Sequence, residues 1–390
     1  MKFTRRDVIR TTAGAAAGAL GSRFVGSSAF AQEGLTYKPE EGAKLRLLRW
    51  SPFVQGDEDQ WLKNTKRFTE ATGVEVRVDK ESWEDGPKQY ATREGKFLGL
   101  PLATIGNAIV YRESWVKEAG FSEFPKDTAG FLDLCKALKA KGHPAGFTHG
   151  HGVGDGNNYA HWLLWSHGGQ MVDEAGKVTI NSPETLKAIQ YAQELYKTFI
   201  PGTESWLDVN NNRAFLAGEI SVIANGISAY NTAKVNKDND PKLAEIAKDI
   251  RTTNLPIGPV GKSVELFQVT TAVIFNYTPY PNAAKAYLQF MFEDPQMSDW
   301  ITSSAGYCCQ TLKAFDNNPV WKADPNNAAY AKASATLRPN GYAGPLGYAS
   351  AATMADYVLV DMFAKAVTGQ ATPQEAMEEA EKRANRYYRV

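Results

Sequence analysis

A two-lobed α/β protein is what this sequence predicts, and three observations carry the expectation. The chain opens on a strand–helix–strand pattern, the βαβ unit that builds parallel sheet with ligand-facing strand ends. A second helix–strand unit, Pro201 to Gly226, ends in an Asn-Gly pair where open sheets place their crevices. A chain of 390 residues with 43% hydrophobic content supports a substantial core, divided most simply between two lobes.

In the opening unit Leu45–Trp50 reads as a buried strand, and Asp59–Thr72 is a helix with Trp61, Thr65 and Phe68 near one face. Gly73 ends that helix, and Val74–Val78 alternates as the second strand. Trp50 and Asp57 fall at the strand end that faces a ligand. In the second unit, Asp208 or the Asn210–Asn212 run caps a short helix burying Ala214, Phe215 and Leu216. Ile220–Ala224 is the buried strand, with Asn225-Gly226 just beyond it. Trp206 and the asparagines precede the same helix, so aromatic and amide groups can converge on one opening, the composition of a small-polyol site.

Further helices are expected over Lys126–Lys141, Pro183–Tyr196, Lys242–Ile250, Ala283–Phe292 and the tail Ala352–Tyr388, with Thr372-Pro373-Gln374-Glu375 as a capping box. Val264–Phe275 reads as one strand crossing between lobes. Residues 1–31 form an export address. Arg5-Arg6 precede a mild Ala/Gly-rich run too weakly apolar for a membrane span, and Ala29-Phe30-Ala31 is a cleavage site. The precursor has 43 basic and 43 acidic side chains; removing five basic and one acidic leaves 38 against 42. A net charge of −4 argues against a nucleic-acid surface. Cys135 is alone and Cys308-Cys309 are adjacent, so no disulfide framework is expected and buried thiols are the preferred reading.

The run Asn-Asn-Arg-Ala-Phe-Leu-Ala-Gly-Glu-Ile-Ser (211–221) followed by Asn225-Gly226 resembles the signature of family 1 extracellular solute-binding proteins, similar in plan to maltose-binding protein. Ala71-Thr72-Gly73-Val74-Glu75-Val76, Gly99-Leu100-Pro101 through Val110-Tyr111, and Gly369 to Ala376 match in the same order. The resemblance implies the larger, type II-like periplasmic-binding-protein fold with three interlobe crossings. Lobe one would comprise residues 44–103 and 268–308, and lobe two 107–264 and 312–390. The sequence departs from the family pattern near 85–96, where about fifty residues, too many for a surface-loop deletion, are missing from lobe one.

The implied function is capture of a sugar or polyol in the interlobe cleft and delivery to the permease subunits of an ABC importer, by a periplasmic monomer without cofactor. The ligand-binding candidates are Trp50, Asp57, Asn107 at the first crossing, Tyr159, Trp206, Asn225 and Tyr230. Tyr307 and Gln310, where Gly306–Gln310 resembles the third crossing, and Tyr342 complete the set. An aromatic at the Tyr159 position would lie against the apolar C–H face of a sugar, as the resemblance implies. Asp57, Asp85 and Asp155 offer loop acids for an exported hydrolase or lyase, but nothing in their spacing pairs them across a cleft. His149, His151 and Asp155 have the donor types of a metal site without a helical His pair, and a mobile cleft-edge loop is the preferred reading. A polyamine receptor needs several cleft carboxylates, whereas these strand ends are mostly amide and aromatic. Replacing Arg5 and Arg6 by Lys should stop periplasmic delivery through the twin-arginine route, checked by cell fractionation; unchanged delivery would defeat that assignment.

Overall fold

The computed structural model describes residues 35–81, 99–266, 268–331 and 336–388, with the backbone of two short paired strands, Thr92–Arg93 and Lys96–Phe97. The export address, Asp85 and most of the 85–96 junction lie outside the described residues.

The opening unit forms, but its first strand is not the buried one expected: of Leu45–Trp50 only Arg49 is buried, and Leu48 is exposed. Strand β1 (Lys44–Trp50) pairs in parallel with β2 (Glu75–Glu81), from Lys44 opposite Glu75 to Trp50 opposite Glu81. Helix α1 (Gln55–Thr72) connects them and stops at Gly73, whose φ of 77° is the left-handed conformation glycine adopts without strain. Its apolar stripe packs on two later helices, α2 (Pro281–Phe292) and α3 (Gln296–Ser303). Trp61 meets Trp300 edge-on at 5.0 Å, and Phe68 meets Tyr287 at 5.2 Å.

One carboxylate holds this packing together. Asp57 is fully buried and accepts hydrogen bonds from Arg49 Nη2 at 2.7 Å, Trp50 Nε1 at 3.0 Å and Trp300 Nε1 at 2.7 Å. The Arg49 guanidinium also lies over the rings of Trp50 and Trp61, at 4.5 and 5.1 Å. Asp57 thus ties β1, α1 and α3 into one body. The expectation that it faces ligand is corrected: its oxygens are committed to the interior. Trp50, half-buried and bonded to it, is placed with it.

Two three-stranded sheets make the rest of the frame, and the chain passes between them. Strand β3 (Leu100–Ile105) is the centre of one, flanked by β4 (Val269–Ala272) and β5 (Cys308–Cys309), both antiparallel. Strand β6 (Ala108–Arg112) is the centre of the other, between β7 (Val222–Asn225) and β8 (Ile250–Thr253). Only Gly106-Asn107 separates β3 from β6, so the first crossing is two residues long. The expected strand over 264–275 is two pieces, β9 (Glu265–Leu266) and β4. Strand β9 pairs in parallel with β10 (Leu337–Arg338) before the chain joins the β3 sheet at Val269. A change of sheet between them is the physical reason for the break.

Strand alternation divides the core. Ile109, Val222 and Ala224 face the cluster built on Phe131, Trp162, Leu163 and the C-terminal helices, while Val110 and Ile223 face the opposite cluster with Phe215 and Trp300. Helix caps follow the sequence closely: Asp127 accepts from Gly130 N at 2.8 Å, Ser182 from Thr185 N at 3.2 Å. Thr372 and Glu375 close the reciprocal box. Cys308 and Cys309 are buried free thiols. As neighbours in a strand they point apart, Cys308 Sγ to Asp57 and Cys309 Sγ to the Tyr330 carbonyl.

Replacing Asp57 by Ala leaves the Arg49 guanidinium buried without its counter-charge, so stability should fall by about 3–5 kcal/mol. Urea unfolding monitored by tryptophan fluorescence checks this, with Asp59→Ala, outside the buried network, expected within about 0.5 kcal/mol of the parent.

Candidate functional site

The cleft lies where the crossings meet. It has about 340 Å³ of empty volume, lined by Phe53 from the loop before α1, by Ile105, Gly106 and Asn107 of the first crossing, and by Gln268 and Tyr307 of the other two. The facing wall comes from the β6 side: Gly154, Asp155, Asn158, Asp208, Asn225, Gly226 and Ser228.

That wall is built around a helix N-terminus. Helix α4 (Asp155–Ser166) has Gly154 at its cap position, where no side chain can take up the free N–H groups. Asp208 supplies the missing acceptor from another segment: Oδ2 accepts from Gly154 N and Oδ1 from Asp155 N, both at 2.9 Å. Sequence reasoning gave Asp208 to the following helix, α5 (Asn210–Leu216); the structure sets it across the cleft wall instead. The contact explains the glycine-rich loop. A Cβ at Gly152 would lie 2.5 Å from Asp208 Oδ1, and one at Gly154 would lie 2.5 Å from Gln268 Nε2. The expected mobile loop is therefore a tightly packed one.

An amide ladder extends the wall. Asn211 Nδ2 donates to Asp155 Oδ2 at 2.6 Å, and Asn225 Nδ2 donates to Asn211 Oδ1 at 3.1 Å and Asn212 Oδ1 at 2.5 Å. Tyr330 Oη donates to the Asn225 carbonyl at 3.2 Å. Across the cleft, Asn158 Nδ2 donates to Gln268 Oε1 at 2.7 Å. Two acceptors remain: Asn107 Oδ1 and Asn158 Oδ1 are buried without a hydrogen-bond partner. Buried polar atoms are rarely left so, and both belong to residues lining the cleft. Phe53 and Tyr307 stack at 6.0 Å and give the cleft its aromatic side.

Of the sequence candidates, the structure brings Asn107, Asn225 and Tyr307 to the cleft. Tyr159 is corrected from ligand wall to core: it is 2% exposed and packs on Phe147 at 4.9 Å and Trp162 at 5.8 Å. The same helical turn puts Asn158, not its neighbour, at the cleft, because adjacent helix residues point about 100° apart. Trp206 is half-buried against Gly146 and Ile220, beneath the glycine loop. Tyr230 Oη donates to Asp324, which also takes Lys234, both at 2.6 Å, in a surface depression apart from the cleft. Gln310 is buried and donates to Asp316 at 3.2 Å. Tyr342 sits edge-on to Trp165 with Arg338 over its ring at 4.2 Å. Phe53, Asn158, Asp208, Ser228 and Gln268 were missed as cleft residues. Only Gln268 had a signal, its place at a lobe boundary.

The histidines do not assemble. His149 lies edge-on to Tyr159 at 5.0 Å and near Phe199, while His151 is at the surface, 2.7 Å from Asp361 and stacked on Tyr357 at 4.3 Å. Among the described residues no group of three His, Cys, Asp or Glu side chains could hold a metal ion. Of the acids considered for hydrolysis, Asp57 is interior and Asp155 lines the cleft.

Residues 83–329 match the family described as bacterial extracellular solute-binding protein. The chain belongs to this family. Its members bind solutes and are not enzymes. YcjN of Escherichia coli (strain K12), whose name assigns it as an ABC transporter periplasmic-binding protein, is 24% identical over 241 residues, 59% of this chain and 52% of YcjN. An ABC transporter-binding protein of Deinococcus radiodurans is 26% identical over 214 residues, 52% of this chain and 49% of its own. The chain spans about half the length of these curated relatives. Among solved structures, maltose-bound T. maritima MalE3 superimposes with a TM-score of 0.71 at 18% identity, covering 88% of this chain and 99% of that one. An Agrobacterium radiobacter K84 ABC transporter solute-binding protein in complex with ribitol gives 0.70 at 16% identity, covering 90% and 100%. These likenesses carry the fold, the two-lobed α/β architecture.

Burial holds His149 neutral, with its pKa pushed down to about 3, and His161 down to about 4. A depressed folded value means that the unfolded chain binds more protons below about pH 6.5, so stability present at neutrality is lost as pH falls from there toward 3. His149→Leu should therefore lose less stability than the parent between pH 7 and pH 4, read from chemical unfolding at each pH.

Proposed function

We propose that this protein captures a small neutral sugar or polyol between its lobes and delivers it to the permease subunits of an ABC importer. The observation that carries the reading is the pair of buried, unpartnered amide oxygens, Asn107 Oδ1 and Asn158 Oδ1, on opposite sides of a cleft with a Phe53–Tyr307 aromatic side. Hydroxyl groups supply donors to such oxygens, and sugar C–H faces pack on aromatic rings. Ribitol and maltose in structures of the same fold support the class.

Such a ligand touches both sheets at once. Contacts made only when the lobes approach bias the hinge toward closure, and the closed form is what a permease distinguishes. Export to the periplasm through the twin-arginine address, and a monomeric state, belong to the same reading. So does a lobe one, residues 44–103 and 268–308, that lacks a strand of the usual sheet, with residues 107–264 and 312–390 forming lobe two. Among the described residues β1 has β2 as its neighbour and the β3 sheet is separate, which supports the missing strand.

Thermal-shift screening of the chain from Gln32, against ribitol, glucose, maltose and spermidine, tests the reading. A monosaccharide or pentitol should raise the melting temperature by mass action. Asn158→Ala should then weaken calorimetric affinity about tenfold or more, the loss of roughly 1.4 kcal/mol, and Tyr159→Phe should leave it unchanged. Stabilisation by spermidine alone would overturn the sugar assignment.

A further inference from the structure

Glu265 is a buried acid that ligand contact does not explain. It opens β9 on the second crossing, three residues before Gln268, and is 6% exposed. Oε1 accepts from Thr336 Oγ1 at 3.1 Å, and Oε2 has no partner. Its surroundings come from more than one crossing. The Cys309 thiol, on β5 at the third crossing, and the Tyr330 phenol both lie within its field. Burial keeps these two groups neutral, pushing the thiol up to about 12 and the phenol upward. No cation offsets the carboxyl: among the described residues it enters no ion pair, and Arg338 on the paired strand lies over the Tyr342 ring. The effect of burial is to push the Glu265 pKa up to about 7.

The neighbouring Cys309 and Tyr330 connect to the cleft. Cys309 Sγ contacts the Tyr330 carbonyl at 3.8 Å, and Tyr330 Oη donates to the Asn225 carbonyl at the cleft edge. Burying a charge without a counter-ion is costly, and the crossing segments are where lobe rotation changes the backbone. We propose that Glu265 is a proton-linked latch of the hinge: the packed crossings hold it as the neutral acid, and its ionisation favours the open form. Lobe closure then takes up a proton, and the protein releases its ligand more readily as pH rises. The inference rests on the crossings acting as a hinge and not on the identity of the ligand.

The sign follows from linkage. A carboxyl raised in the folded state binds more protons there than in the unfolded chain, so stability declines from about pH 4.5 through about 7 and then levels. Helix α4, which packs against β9, carries the other titratable groups of this region, Asp155 at the cleft and Tyr159 and His161 in the interior. The informative quantity is therefore the difference between the parent and Glu265→Gln, which mimics the neutral acid at every pH.

Small-angle scattering and thermal unfolding of the ligand-free chain, from pH 5 to pH 8.5, test the latch. The parent should expand as pH rises, with a midpoint near 7, while Glu265→Gln stays compact. The melting-temperature advantage of Glu265→Gln should grow over the same interval by a few degrees and then level. Glu265→Met, also uncharged, replaces it should the Gln variant fail to fold. Expansion of the uncharged variant in parallel with the parent would overturn the proposal, as would a melting difference without any change in the parent's dimensions. Both readouts omit ligand, so a failed sugar screen and a failed latch remain distinguishable.

Discussion

Asp208 reaches from the loop before α5 to the N-terminus of α4, and both of its oxygens take backbone N–H groups that no local side chain could satisfy. The part of the cleft wall built on α4 is set by that contact. It fixes the first turn of α4, and so the direction in which Asp155 and Asn158 project. Asp155 anchors Asn211, and Asn211 anchors Asn225, so two segments meet the cleft in register through a chain of amides and one carboxylate. A negative group at a helix N-terminus is also favoured by the aligned peptide dipoles. Capping and site assembly are one interaction here.

The opposite half depends on a different device. Asp57 gathers three cationic or N–H donors in the interior and serves only to hold β1, α1 and α3 together. Comparing the two aspartates shows what determines role. Both are nearly inaccessible, both precede or enter a helix, and both lie near the cleft in sequence terms. One is surrounded by donors on every side, and the other leaves its helix terminus open toward the crossings.

Much of the frame was legible because it depends on local chemistry. The Thr372–Glu375 box, the Gly73 stop and the alternation of β2 are written in neighbouring residues, and so is the Asn225-Gly226 edge. The resemblance placed the two lobes, and the first crossing emerged as the two residues Gly106-Asn107. Aromatic roles were not legible. Tyr159 and Trp206 carry rings that suit a sugar and suit a core equally, and only the arrival of Phe147, Trp162 and Ile220 decides between them. Asp208 was misplaced for a related reason: a capping residue seeks the nearest free N–H groups in space, which lay 53 and 54 residues away along the chain. The β9–β4 break was hidden because both pieces are extended, and the change of sheet leaves no mark in composition.

The glycine loop has a consequence for how this receptor can change. Its backbone lies so close to Asp208 that a methyl group at Gly152 would meet a carboxylate oxygen at 2.5 Å, whereas one at Gly154 would have to displace the end of the Gln268 side chain. New selectivity is therefore not written by enlarging Gly152. Phe53, held in a loop before α1, is a position where shape can vary without dismantling the wall it faces. Divergence among receptors of this build should therefore be lopsided, with one rim of the cleft kept as a fixed template and the other acting as the variable surface on which the choice of solute is rewritten.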